Sequence, residues 1–399
     1  MSLLSVKDLS CSQPNKTLFE KATFSVEEKD KIAIIGLNGC GKTTLLSILA
    51  SSVSSPVEGV STQNGLRITY LAQQIEANPE HTILDHLFQS DTKEAAAIRE
   101  YTSAIQAYNE DASSVNERAF TKASEEMDHA NAWEYEERVA SILKELHIDD
   151  LTLKLGDLSG GMRKKIALAQ AFFAETDLLI LDEPTNHLDI ITIEWLEDML
   201  KRQSCAVIMV THDRYFLDKV CTKILEIDQK QIFIYQGNYH FYLEQRELRQ
   251  LSQEKHEKSF QSILRVELAW LRQGPKARST KQKARKDRID EMVNRDASSA
   301  QVSIDLNVAH TRLGKKILAL KAVSKSFDEG PLITDFTYTF KQGEKIGLIG
   351  PNGVGKTTLL NLITQRLSPD SGEIDCGVNT KFGYFDQHSE EFDDSLTIF

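Results

Sequence analysis

The chain has 399 residues, of which 41% are hydrophobic and 27% charged, and carries a formal net charge of -12. That length predicts two or three domains with material for a large core, while no run approaches the roughly 18 apolar residues a bilayer crossing needs. An acidic body excludes nucleic-acid binding over the whole surface, and five scattered cysteines (Cys11, Cys40, Cys205, Cys221, Cys376) without metal-ligand spacing predict reduced, mostly buried thiols.

In chain order, Met1 to Ser10 alternates like a first strand and lacks the basic flank and apolar stretch of a signal peptide, which predicts a cytoplasmic protein with no membrane contact. A strand at Lys31 to Ile35 runs into Gly36-Leu37-Asn38-Gly39-Cys40-Gly41-Lys42-Thr43-Thr44 and a helix from Lys42 to Ala50. This is the phosphate-loop pattern in its required strand-to-helix context. Gly36, Asn38, Gly39, Gly41, Lys42, Thr43 and Thr44 are the candidate triphosphate ligands: backbone N–H groups curl around phosphate oxygens, Lys42 reaches the β- and γ-phosphates, and the Thr43 hydroxyl ligates Mg2+.

From about Ile83 to Leu146 apolar residues recur at helical spacing (Ile83, Leu87; Trp133, Val139, Ile142, Leu143, Leu146), predicting a helical insertion at about 80–150. The continuous apolar run Leu178 to Leu181 predicts a buried parallel strand that delivers Asp182 and Glu183 to its carboxyl end, where α/β sheets bind ligands. There Asp182 is the candidate metal ligand and Glu183 the candidate base for an attacking water. From about His240 to Ala300 the sequence is dense in Glu, Lys, Arg, Gln and Leu and broken at Gly274-Pro275, which predicts two long helices folded as a hairpin, the first from about Tyr242 to Arg272. Near the break Arg272, Lys276, Arg278, Lys281, Lys283, Arg285, Lys286 and Arg288 meet only Asp287, a basic patch suited to phosphate backbones.

The phosphate-loop segment then returns as Leu348-Ile349-Gly350-Pro351-Asn352-Gly353-Val354-Gly355-Lys356-Thr357-Thr358, and Tyr70-Leu71-Ala72-Gln73 returns as Tyr384-Phe385-Asp386-Gln387. The chain is therefore a domain duplication. Gly350, Asn352, Gly353, Gly355, Lys356, Thr357 and Thr358 are the second set of phosphate ligands, with Thr357 on metal.

Leu158-Ser159-Gly160-Gly161-Met162 resembles the signature of ATP-binding cassettes, Tyr70 to Gln73 the Q-loop, Pro184 to Asp189 the D-loop and Thr211-His212-Asp213-Arg214 the switch-histidine loop. Two cassettes in one chain, Glu183-Pro-Thr-Asn-His-Leu-Asp189 and a charged linker resemble the ABC-F class, and Trp270 to Arg278 the Uup type within it. The resemblance implies a P-loop NTPase α/β fold with a first cassette over 1–238, a helical-hairpin linker over 239–303 and the start of a second cassette over 304–399. It also implies ATP and Mg2+ as cofactors, Gln73 and Gln387 on metal, Gln73 with Glu183 and His212 in catalysis, and Ser159, Gly160 and Gly161 on the γ-phosphate of the opposite cassette.

Where many cassettes place an adenine-stacking ring, the first has Gln13 and the second Phe327, so base stacking is expected to be weaker in the first site. The second copy stops at Phe399 without signature, acidic pair or switch histidine, so a fragment of a longer protein, weak or inactive as an ATPase on its own, is expected. As partners the resemblance implies the ribosome, through rRNA and tRNA, and intramolecular pairing of the two cassettes. Branched DNA in repair or transposon excision, and service as an ABC transporter's motor subunit, are the alternatives.

Overall fold

Apolar, β-branched runs too short for helices build the central sheet. In the computed structural model, β1 (Ser2–Gln13), β2 (Lys16–Glu27) and β4 (Val60–Thr62) form an antiparallel sheet in the order β2-β1-β4. A second sheet holds β3 (Lys31–Gly36), β5 (Ile68–Leu71), β6 (Leu178–Asp182), β7 (Ala206–Val210), β8 (Lys223–Asp228) and β9 (Gln231–Gln236) in the order β5-β6-β7-β3-β8-β9. All its pairings are parallel except β8 with β9. The crossovers bring the carboxyl ends of β3, β6 and β7 side by side, which is where the candidate residues lie. Leu4, Phe19 and Val26 of one sheet and Ile32, Ile34 and Ile180 of the other share a core with Leu45, Leu46 and Leu49 of α1 (Lys42–Ser51).

Residues 2–14, 16–73, 78–88, 93–272, 317–327, 330–377 and 380–385 are described by the structure. They fall into two units: Met1–Glu76 with Ala167–Asn186 and Leu196–Asn307, and Ala77–Ile166 with His187–Trp195 and Val308–Phe399. In the second, the predicted helical insertion takes the form of α2 (Ile83–Leu87), α3 (Lys93–Glu110), α4 (Ser114–Ala130) and α5 (Trp133–Glu145). Thr82 and Asp85 make a reciprocal capping box that starts α2, and Val139, Ile142 and Leu143 form the buried stripe of α5. Trp133, expected in that stripe, is 39% exposed, because its indole N–H turns out to Asp128. Helix α6 (Gly160–Phe173) follows the signature and α7 (Ile190–Arg202) the D-loop, while α8 (Arg214–Val220) follows β7.

The second unit also contains β10 (Leu318–Phe327), β11 (Gly330–Phe340) and β12 (Ser371–Cys376), ordered β11-β10-β12. The stretch 345–349, which repeats Lys31 to Ile35, forms no strand: no described strand flanks it, and Ile346, Leu348 and Ile349 are exposed.

The charged segment begins as α9 (Tyr239–Arg272), 34 residues or roughly 50 Å at about 1.5 Å per residue. It starts three residues before the sequence pattern suggests, because the Asn238 side chain accepts the Phe241 N–H and caps the helix. The Gly274-Pro275 break and the predicted return helix lie outside the described residues. The expectation of mostly buried cysteines is corrected: Cys221 alone of the five is buried, and Cys11, Cys40, Cys205 and Cys376 are half-buried. Cys40 sits in the phosphate loop and Cys11 near the end of a hairpin, positions that backbone function leaves partly open.

Candidate functional site

The first phosphate loop is shaped by two glycines. Gly41, at φ 103°, caps α1, and a Cβ there would press within 3.0 Å of Leu18. A Cβ on Gly36 would come within 2.7 Å of the Ile227 carbonyl oxygen and of the Cys40 Sγ, so the loop strand lies tight against β8. Lys42 folds back over the loop, its Nζ donating to the carbonyls of Gly36 (3.0 Å) and Leu37 (3.2 Å). With no acidic residue in its first turn, α1 points an uncompensated positive dipole end at the loop.

Across a cavity of about 380 Å3 stand the predicted acids. Asn38, Gly39, Gly41, Lys42, Thr43 and Thr44 line it together with Gln73, Asp182, Glu183 and His212; Gly36 is not among the lining residues. Asp182 and Glu183 are 1% and 6% exposed. Glu183 adopts φ 47°, a left-handed conformation uncommon outside glycine, and is held there by its N–H on the Val210 carbonyl (2.8 Å). Its carboxylate accepts the His212 N–H at 3.3 Å and lies 3.3 Å from His212 Nε2. Burial pushes the Glu183 carboxyl above its ordinary value, while His212 pulls it down.

Among the oxygen-bearing side chains that line the cavity are a hydroxyl (Thr43), an amide (Gln73) and a carboxylate (Asp182), and no group of three His, Cys, Asp or Glu side chains among the described residues could cage a metal. Such sparse, hard ligands fit Mg2+ brought in with phosphates. Two supports escaped sequence reasoning. The Thr185 and Thr211 hydroxyls bond at 2.8 Å and tie the strand ends of β6 and β7 together. Asp213 caps α8 through the N–H groups of Tyr215 and Phe216, a role its place before the helix could have signalled.

The signature and the second phosphate loop lie together in the second unit. Gly355, at φ 95°, caps α10 (Lys356–Ile363), which carries Thr357 and Thr358 in its first turn. The Lys356 Nζ donates to the carbonyls of Gly350 and Pro351 at 2.8 and 2.7 Å. The Asn352 side chain donates to the His187 carbonyl at 2.8 Å, its backbone N–H reaches Asp189 at 3.4 Å, and a Cβ on Gly161 would collide with the Asn352 amide. Gly353 lies in the same loop at φ 83°.

Ser159, expected on phosphate, uses its hydroxyl to accept the Met162 N–H and cap its own helix, which Gly160 opens. Lys165 of that helix is buried 3.3 Å from Asp189. Burial opposes ionisation of Asp189, but the Thr192 hydroxyl and amide, the Asn352 amide and Lys165 hold its pKa down to about 2. Phe327 stands half exposed at the end of β10, and Gln387 lies outside the described residues.

Of the basic patch, Arg272 ends α9, and Lys276, Arg278, Lys281, Lys283, Arg285, Lys286 and Arg288 lie outside the described residues. The root of the helix shows an anchor that the sequence did not reveal. Buried Glu226, on the strand beside β3, accepts the Tyr242 and Tyr235 hydroxyls (2.8 and 3.2 Å) and pairs with Arg246 (3.0 Å) and Arg249 (2.8 Å). Arg249 also reaches Asp228 at 2.9 Å and stacks over the Phe233 ring. Tyr242, Arg246 and Arg249 share one helix face. Burial, then the Glu226 charge, raises the Tyr235 phenol to about 12.

The chain is similar to known proteins along its whole length. The family described as ABC transporter matches residues 19–186 and 333–399, and an extension domain under the same description matches 225–306. An uncharacterized ABC transporter ATP-binding protein, YfmR of Bacillus subtilis, is 39% identical over 100% of this chain, which spans 63% of its length. The ATP-binding protein Uup of Escherichia coli is 33% identical over 100% of the chain, which again spans 63% of that protein. The energy-dependent translational throttle protein EttA of E. coli is 33% identical over 96% of the chain and 70% of its own length.

Proposed function

The chain belongs to the ABC-F class of ATP-binding-cassette proteins, and from that premise we propose that it is part of a translation-associated ATPase whose cassettes close on ATP and move a basic linker arm on the ribosome. The observation that carries the ATPase reading is the single cavity joining Lys42, Thr43, Gln73, Asp182, Glu183 and His212, residues spread over 170 positions of sequence.

Lys42 exchanges its two carbonyl acceptors for β- and γ-phosphate oxygens, which are stronger partners for an ammonium. The α1 N–H groups take the remaining phosphate charge. Thr43, Gln73 and Asp182 hold Mg2+, which when bound neutralises charge on the phosphates. Glu183, its basicity raised by burial, accepts the proton of the attacking water, and His212, already on that carboxylate, fixes its direction. Ser159, Gly160 and Gly161 close over phosphate held by the opposite cassette, as the approach of Gly161 to Asn352 supports. Domain limits of 1–238, 239–303 and 304–399 belong to the same reading.

The ribosome is favoured by the translational-throttle relative and by the run of arginine and lysine beyond α9. No helix among the described residues is long and apolar enough to cross a membrane. Co-sedimentation of the Glu183→Gln protein with ribosomes tests the proposal. ATP-dependent pelleting that weakens with salt is expected. Failure to pellet, or displacement of ribosomes by a branched DNA junction, overturns it.

A further inference from the structure

The hairpins beside the two phosphate loops match in register and differ in chemistry. In the first cassette the β1–β2 hairpin closes with Gln13 opposite Lys16; in the repeat, β10–β11 closes with Phe327 opposite Gly330. A flat ring and a residue without a side chain are thus replaced, at equivalent positions, by an amide and an ammonium group.

The replacement borders a space with ample room for a nucleobase. Gln13, Leu18 and Asn38 line both the phosphate cavity and an adjoining cavity of about 690 Å3, so the two form one trough. The outer part is lined by Lys16 and Lys230 beside Gln13, and no aromatic ring among the described residues borders it. Lys16 is drawn toward the phosphate loop by its bond to the Gly39 carbonyl at 2.8 Å. A base entering this trough gains no stacking on a ring, an interaction that elsewhere strengthens binding by about tenfold or more.

It meets hydrogen-bond donors instead. An ammonium group has three donors and no acceptor capacity. Guanine presents O6 and N7 on one edge, both acceptors, whereas adenine presents N7 beside an amino group that is itself a donor. Two lysines therefore complement the guanine edge and oppose half of the adenine edge. The Gln13 amide can turn to serve either base.

We propose that the first nucleotide site accepts GTP at least as tightly as ATP, with Lys16 and Lys230 reading the O6/N7 edge of the base. This rests on the reading of the Lys42 loop as a nucleoside triphosphate site and is independent of the ribosome. Lys16 stands where the repeat has Gly330, and Lys230 joins it from the turn between β8 and β9.

The test is equilibrium dialysis of radiolabelled ATP and GTP, each with Mg2+, against the full chain carrying Lys356→Ala, so that the Lys42 loop alone is read. Equal affinities, or tighter GTP, are expected. Adding Lys16→Gln and Lys230→Gln should weaken GTP five- to tenfold and ATP no more than twofold, the retained ATP binding serving as the control for folding. Gln13→Tyr should strengthen ATP about tenfold. ATP favoured more than threefold in the Lys356→Ala protein overturns the proposal, as does an equal loss of both nucleotides in the lysine variant. GTP parity in a protein that fails to pellet with ribosomes removes the translation reading alone, and ATP preference in one that pellets removes this inference alone.

Discussion

The two phosphate loops bend almost identically and sit in different surroundings. Gly41 and Gly355 cap their helices at φ 103° and 95°, and Lys42 and Lys356 each fold back onto two carbonyls of their own loop. Around the first stand β6 and β7 with Glu183 and His212; around the second stand the signature helix and D-loop, through Gly161, His187 and Asp189. The difference teaches that loop shape is a local property of the glycines, while the chemistry offered to a nucleotide depends on which distant segments pack against the loop.

The largest expected effect tests whether both loops bind nucleotide. Lys42→Ala and Lys356→Ala should each remove one of two sites, and the pair together should lower affinity at least about 100-fold in a dialysis titration. Full binding in the double variant would erase the comparison.

A slightly smaller effect is expected at the arm root beside the first cassette's loop strand. Glu226→Gln leaves two arginines short of their shared anion and should cost about 2–3 kcal/mol, read as a lower Tm and faster proteolysis within α9, with ATP affinity unchanged. Lost ATP affinity would mean that Glu226 supports the loop strand rather than the arm.

Asp189 sharpens the comparison from the other side. Its carboxyl is held at about 2, below the unfolded value near 3.9, so its contribution is present above pH 4 and lost as pH falls toward 2. Asp189→Asn should therefore cost about 1–2 kcal/mol at neutral pH, and the gap should close between about pH 4 and 2 in acid-unfolding curves. Only the Lys356 site should lose affinity.

The smallest effect has the opposite sign. Burial raises the Glu183 carboxyl, so ionisation at neutral pH works against the fold. Glu183→Gln should raise Tm by about 1–3 °C at pH 7, and the gain should vanish as pH falls below the ordinary glutamate range. A lower Tm would show that the bond with His212 outweighs the burial.

Legibility in the sequence followed range of interaction. The phosphate loops, the strand that presents Asp182 and Glu183, and the helical insertion could all be read because glycine spacing, apolar runs and helical periodicity act over a few residues. The Glu226 anchor could not be read, since Glu226 lies on a strand and its partners lie on a helix and a neighbouring strand. Nor could the Lys165–Asp189 pair, whose members flank separate motifs. Ser159 shows the converse: the motif marks it for phosphate, yet its hydroxyl here satisfies a helix N–H, which any serine before a helix can do.

By itself the sequence determined a duplicated P-loop architecture with an inserted helical region and a charged arm, because each of these is written in local pattern. Tertiary structure alone decided that Glu183 meets His212, that Asn352 meets the D-loop beside Gly161, and that Lys16 and Lys230 border one trough with Gln13. Those meetings depend on strand order and hairpin register, which come from burying many distant apolar residues at once, so no single stretch of the chain encodes them.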